Sequence, residues 1–357
     1  MRRFLRFCSC VTFIGLSPLF GQGTTLVGAG YANPTNIRLS PGQITTVFVS
    51  GLSTDPTKPT RATSLPLPVS LAGVSVTINQ SSPTLSVAAP LLAVEQLNGC
   101  NYGVTPPPPT VSPDCMVGAI TLQVPYELSP LPTVSGDFTV PPNTELVITA
   151  NGTVSKAFSI STYTDNLHVL STCDAFPSKQ SGSQILVNGG CNSVVTHADG
   201  TLVTANSPAK PGETVVIYAY GLGQTTPAVK SGEATPTPAP VLGPARLGSV
   251  TVNVQFDFRP NAAPSNPYLI IQGAISPTPI TGPIAPTPTF VGLTPGQVGL
   301  YQINLPLPST FPAIQPCTTV SVCTGAVCPG PILSNLTIDV GGVSSFDGAA
   351  ICVQPPQ

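Results

Sequence analysis

Two histidines must serve any imidazole-based acid–base chemistry in this chain, and the sharpest candidate is His197 with Asp199 two residues on. Such a pair can move a proton, and with a serine hydroxyl it becomes the relay of an acyl-transfer enzyme. No Gly-x-Ser-x-Gly accompanies it, and that turn is the strained elbow that exposes a nucleophilic serine. The competing reading is conformational: Asp199-Gly200 is a favoured tight turn, with His197 capping the end of a strand. We favour the turn, because the motif opens a strand that links two related stretches of chain. His168 lies among apolar neighbours, Leu167 to Leu170, and reads as a packed side chain rather than a ligand. No catalytic residue is assigned.

Metal chemistry fares no better. A zinc site would use closely spaced thiolates and imidazoles. The close cysteine spacings are Cys317-x5-Cys323 and Cys323-x4-Cys328, and neither histidine falls near them. Calcium needs several oxygen ligands along one loop, whereas the 14 acidic residues are scattered and form no Asp-x-Asp pair. No metal or cofactor is expected. Cys100, Cys115, Cys173, Cys191, Cys317, Cys323, Cys328 and Cys352 are read instead as disulfide partners, an even set suited to an oxidising compartment. Nearness in sequence favours Cys100 with Cys115, Cys173 with Cys191 and Cys323 with Cys328, leaving Cys317 with Cys352.

Recognition of sugars by flat aromatic platforms has little to draw on, because the chain has no Trp and 8 Tyr. Tyr218 and Tyr220 fall on a strand expected in the core. Asn79, Asn151 and Asn335 fit the glycosylation sequon, a frequent chance match in Ser/Thr-rich chains.

The start of the chain indicates the compartment. Arg2, Arg3 and Arg6 precede an apolar run, Phe7 to Phe20, which is too short to span a bilayer and is the pattern of a secretory leader cleaved after about Gly21. Cys8 and Cys10 would leave with it. The formal net charge of -2 includes those three arginines, so the exported chain is more acidic and carries no basic surface for nucleic acid. No later segment is apolar enough to span a membrane. The expected location is secreted or at the cell surface, extracellular or periplasmic.

Positioning elements follow from composition and periodicity. Charged residues make up only 7% of the 357 and hydrophobic ones 41%, so the chain can collapse, and charge-driven disorder is excluded. Pro 44 and Gly 33 favour short strands between many turns. Four stretches recur in the same order. Pro41 to Leu52 returns as Pro211 to Leu222, Ser75 to Asn79 as Ser249 to Asn253, Ile120 to Pro125 as Tyr301 to Pro306, and Leu146 to Gly152 as Leu336 to Gly342. The offset only grows along the chain, as in a duplicated unit with insertions in its loops. Val74, Val76 and Ile78 alternate with Ser75, Thr77 and Asn79, and Ile120, Leu122 and Val124 with Thr121 and Gln123, which predicts half-buried strands. Val215 to Tyr220 is apolar on both faces and predicts a central strand. One-sided strands must pair their apolar faces, so the expected fold is all-β: two tandem immunoglobulin-like β-sandwich domains. We place a leader at 1–21, an N-terminal segment at 22–36, sandwiches at 37–163 and 205–353, and a connector at 164–204.

The stretches Leu67 to Asn79, Leu122 to Glu127, His197 to Val203, Pro208 to Glu213, Tyr220 to Gly223 and Phe290 to Asn304 together resemble the secreted, uncharacterised immunoglobulin-like C-terminal domains abundant in acidobacterial proteomes. The resemblance implies a sandwich fold and export and brings no biochemical activity with it. Two inserts depart from that pattern, Asn98 to Val117 and Phe311 to Pro331. The functional expectation is a non-catalytic surface, adhesive or structural module. Its partner would be an extracellular protein or polysaccharide. The alternatives are a carbohydrate-binding accessory protein and a secreted hydrolase that depends on His197.

Overall fold

The computed structural model describes residues 25–29, 38–52, 59–98, 116–131, 144–170, 193–204, 206–243, 250–260, 286–310, 333–340, 343–344 and 351–354. Within them the chain is all β, with no helix. The first twelve strands are β1 (Thr25–Ala29), β2 (Arg38–Leu39), β3 (Ile44–Ser50), β4 (Thr60–Arg61), β5 (Ser70–Leu71), β6 (Val74–Ser81), β7 (Thr84–Ala88), β8 (Leu91–Asn98), β9 (Met116–Gln123), β10 (Thr144–Ala150), β11 (Thr153–Val154) and β12 (Phe158–Thr162). The remainder are β13 (His168–Val169), β14 (Val195–Thr196), β15 (Thr214–Tyr220), β16 (Val250–Pro260), β17 (Phe290–Leu293), β18 (Tyr301–Pro306), β19 (Leu333–Val340) and β20 (Val343–Ser344).

In the N-terminal half one sheet has the order β1-β3-β9-β8-β4 and a second the order β2-β12-β10-β6-β5, with β7 also on β6 and β11 on β10. Their inner faces form one apolar core. Val47, Ile120, Leu122 and Leu91 from the first sheet meet Val76, Ile78, Leu146, Ile148 and Ile160 from the second, all essentially solvent-free. At about 25 cal/mol per Å² of apolar surface removed from water, each such side chain contributes on the order of 1.5–3 kcal/mol. The expected alternation holds: Val74, Val76 and Ile78 are buried, while Ser75, Thr77 and Asn79 are half-buried.

The C-terminal half has a sheet of order β13-β15-β18-β17, with β14 also on β15, and a three-stranded sheet β16-β19-β20. Val215, Ile217, Ala219, Ile303 and Leu305 of the former share a core with Val252, Leu336 and Ile338 of the latter. β15 is central, as its two apolar faces predicted. Tyr218 and Tyr220 stand on its half-buried side, and Val215, Ile217 and Ala219 point into the core. Residues 164–204, read as a connector, carry β13 and β14, both of which pair with β15.

The recurrent stretches pair alike in both halves. β3 lies antiparallel to β9 with Val47 opposite Ile120, and β15 lies antiparallel to β18 with Ile217 opposite Ile303. β6 pairs with β10, Val76 opposite Ile148, and β16 pairs with β19, Val250 opposite Val340. The same turn leads into β3 and β15. Gln43 N–H donates to Ser40 O at 3.0 Å and Glu213 N–H to Lys210 O at 3.3 Å. Pro41 and Pro211 occupy the second turn position, and Gly42 and Gly212 follow at φ of 80° and 77°. Proline presets φ at the second position and only glycine adopts the third without strain.

Candidate functional site

His197 and Asp199 do not meet as a proton-transfer pair. Asp199 Oδ1 accepts the amide of Thr201 at 2.9 Å and its hydroxyl at 2.6 Å, and Gly200 N–H donates to His197 O at 3.0 Å with φ of 85° at Gly200. This is the turn geometry. The Thr201 hydroxyl, then the Thr201 amide, hold the Asp199 carboxyl below its usual range. The imidazole instead reaches Glu213, with Nδ1 3.0 Å from Oε1, while Nε2 lies 3.2 Å from Ser207 Oγ and 3.1 Å from Ser207 O. Sequence reasoning missed Glu213 and Ser207 because both lie beyond the turn at residues 197–200, and only the approach of loop and strand start brings them to one ring.

Serine, histidine and glutamate in this order have the contacts of an acyl-transfer relay. Such a relay needs N–H donors aimed at the developing oxyanion. Ser207 N–H already faces Thr204 O and Thr204 Oγ1, both at 3.1 Å, and the next residue, Pro208, has no N–H. The imidazole, with its side chain 15% exposed, ties the loop at 204–207 to the start of β15. His168 is buried in β13, in keeping with a packed role.

The second constellation lies where the two halves meet, and its residues come from the end of β9 and the loop after β15. Gln123 Oε1, fully buried, accepts Gly232 N–H at 2.6 Å. Tyr126 N–H donates to Ser231 Oγ at 2.8 Å, and Ser231 Oγ–H donates to Glu127 Oε2 at 2.6 Å. Gln224 Nε2 donates to Tyr126 O at 2.8 Å, and Leu67 N–H to Gly232 O at 2.8 Å. The Tyr126 ring belongs to the core of the C-terminal half. It packs so closely over Gly42 that a Cβ there would collide with it, and a Cβ on Gly299 would collide with Gly42 O. Burial pushes the Tyr126 phenol up to about 12, with the Tyr301 hydroxyl opposing that rise. A cavity of 270 Å³ opens beside this seam, lined by Tyr126, Glu127, Gln224, Thr225, Ala228 and Val229.

Among the described residues no group of three or more His, Cys, Asp and Glu side chains could hold a metal ion, and no helix is long and apolar enough to cross a membrane. Cys352 is disulfide-bonded. Cys100, Cys115, Cys173, Cys191, Cys317, Cys323 and Cys328 lie outside the described residues, as do the leader at 1–21 and nearly all of both inserts. The first insert springs from the tip of the β8–β9 hairpin, whose last pair is Asn98 with Met116. Of the sequon asparagines, Asn79 Oδ1 accepts the Ser86 hydroxyl at 2.7 Å, and the Asn151 side chain lies against Gly73. Compared with protein families, curated proteins and solved structures, the chain matches none.

Proposed function

We propose that this chain is an exported, non-catalytic adhesive or structural module built from two tandem immunoglobulin-like sandwiches of one duplicated design, with its partner engaged through the inserts. The observation that carries this reading is the seam. Gln123, Tyr126 and Glu127 of one half are committed to Gly232, Ser231 and Gln224 of the other, so two cores are held as one rigid support. Rigid scaffolds that present loops at their ends are suited to recognition and require no reacting group. The paired strands and the shared Pro-Gly turn support duplication, and the basic-then-apolar start supports export. The first insert enters β9 and the second leaves β18, its counterpart, so they belong at opposite ends of their halves. Prolines and cysteines in both inserts reduce the freedom lost on binding.

The secreted-hydrolase reading draws on the contacts of Ser207, His197 and Glu213 and is disfavoured because Ser207 N–H is engaged by Thr204 and Pro208 has none to offer. A carbohydrate-binding accessory role would have to use loops, since no aromatic platform is present on the described strands.

Binding of the intact exported protein to a glycan array and to immobilised extracellular polymers tests the proposal. Saturable attachment that survives His197→Ala and falls when each insert is replaced by a short Gly-containing turn supports it. Attachment indifferent to both replacements overturns the assignment to the inserts. Ester turnover abolished by Ser207→Ala overturns the non-catalytic reading.

A further inference from the structure

Among the described residues, the edge of the second N-terminal sheet is open at β7. Ladder geometry fixes which of its backbone groups are free. Ala89 N–H donates to Val76 O at 2.8 Å, and β7 continues this register with Val87 opposite Ile78 and Leu85 opposite Gln80. In an antiparallel pair, hydrogen-bonded and non-bonded positions alternate. Leu85 and Val87 therefore direct their N–H and C=O groups to β6, and Thr84, Ser86 and Ala88 direct theirs outward. The side chains of Thr84, Ser86 and Ala88 are exposed, while Leu85 and Val87 are half-buried on the core face.

Natural sheets shield such an edge with charge, with a bulge or with a covering segment. The outer strand β17 of the C-terminal half is covered: Leu242 N–H donates to Val291 O and Leu293 N–H to Pro240 O. β7 has no covering strand among the described residues, and no bulge interrupts its ladder with β6. From Ala62 to Val94 there is not one charged residue, so nothing in this stretch repels an identical stretch.

We propose that β7 is a self-association edge, pairing antiparallel with β7 of a second copy about a two-fold axis through Ser86. That register is the one the free groups dictate. Ser86 exchanges two hydrogen bonds with Ser86 of the second copy, and Thr84 does so with its Ala88. Leu85 then stands opposite Val87 of the second copy at a non-hydrogen-bonded position, where side chains approach most closely. The half-exposed apolar strip of each copy is thereby covered by the other. The second copy fits better than an unrelated strand because the edge is complementary to itself in hydrogen bonding, in its lack of charge and in its Leu85–Val87 contact. An edge of five residues buries less than a standard interface, so dissociation is expected in roughly the micromolar to millimolar range. This inference stands apart from the ligand-binding reading and holds whatever the inserts contact.

Sedimentation velocity of the full chain over a dilution series tests it, with thermal unfolding and far-UV circular dichroism confirming that each variant keeps its fold. Wild type should be a concentration-dependent dimer. Thr84→Lys with Ala88→Lys sets like charges opposite each other and should weaken the dimer by at least about tenfold. Thr84→Lys with Ala88→Glu sets opposite charges together in the same register and should restore association to near wild type. Ser86→Cys, which adds no charge, should form an intermolecular bridge under oxidising conditions, because hydrogen-bonded antiparallel positions have Cα atoms about 5.5 Å apart. A wild type monomeric at every concentration overturns the proposal, as does a dimer indifferent to the double lysine variant. A Lys/Glu variant as weak as the double lysine one overturns the register.

Discussion

The two halves lay out their recurrent strands alike and pair them two residues apart. Transferring the register of β3 and β9 onto the second half would set Ile217 opposite Tyr301, but Ile217 faces Ile303. The same transfer from β6 and β10 would set Val250 opposite Ile338, but Val250 faces Val340. A slip of one residue would turn every apolar side chain toward solvent, whereas a slip of two leaves each on its face. What the halves hold in common is therefore the alternation and the entry turn, while individual cross-strand partners differ. The seam adds a second difference: Gly42 in the first turn is pressed by the Tyr126 ring, while around Gly212 in the second the nearest atom to a new Cβ would be Ser309 Cα at 4.0 Å.

Removing the Tyr126 ring should have the largest effect on this comparison. Tyr126→Ala opens a hole where the halves meet and should cost about 3 kcal/mol or more. Calorimetry is expected to give one unfolding transition for the wild type and two for the variant, and a single transition retained by the variant would show that the halves are coupled elsewhere. Next in size is the contrast between the matched glycines. Gly212→Ala bears only the left-handed backbone penalty, about 1–2 kcal/mol, whereas Gly42→Ala adds an overpacking cost of about 1–3 kcal/mol against Tyr126. Equal losses in urea unfolding would mean that the ring yields without strain.

The smallest effects are electrostatic and opposite in sign. Asp199 has a lowered carboxyl in the folded chain, so its contribution is present above the unfolded carboxylate range and is lost as pH falls through the folded value. Glu95, 2% exposed, is shifted upward by burial, with the Arg61 charge opposing, so its ionisation destabilises the fold as pH rises. Asp199→Asn should lower the melting midpoint near neutral pH, and Glu95→Gln should raise it. Melts at about pH 7 and about pH 3 check both signs, because each difference should shrink in acid, where the unfolded carboxylates are protonated.

Local periodicity makes the faces of β6 and β9 legible in the amino-acid sequence, since alternation needs only neighbours along the chain, whereas β15, apolar on both faces, shows its central place but not its inner face. The order of recurrent stretches likewise announces which strands correspond between the halves, and their pairing comes from the structure. Register is not legible, because Ile120 has equal claim on any inward position of β3 and only packing of the whole core chooses. Tyr126 is visible as part of a motif, but its insertion into the other core depends on a loop about a hundred residues away, from Gln224 to Gly232. Glu213 is hidden for a related reason: the sequence sets Asp199 nearest to His197, and the Thr201 hydroxyl and amide engage that carboxylate before the imidazole can.

The seam also bears on whether the two halves can be parted. A solitary C-terminal half would keep an empty slot where the Tyr126 ring belongs, and a solitary N-terminal half would hold that ring out in water. Neither could be excised, exchanged or multiplied without first rebuilding the surface around Gly42, Gly232 and Gly299. Tandem arrays ordinarily lengthen and shorten by whole units; here one aromatic ring, seated over Gly42 and in the core of the other half, ties these two halves to each other.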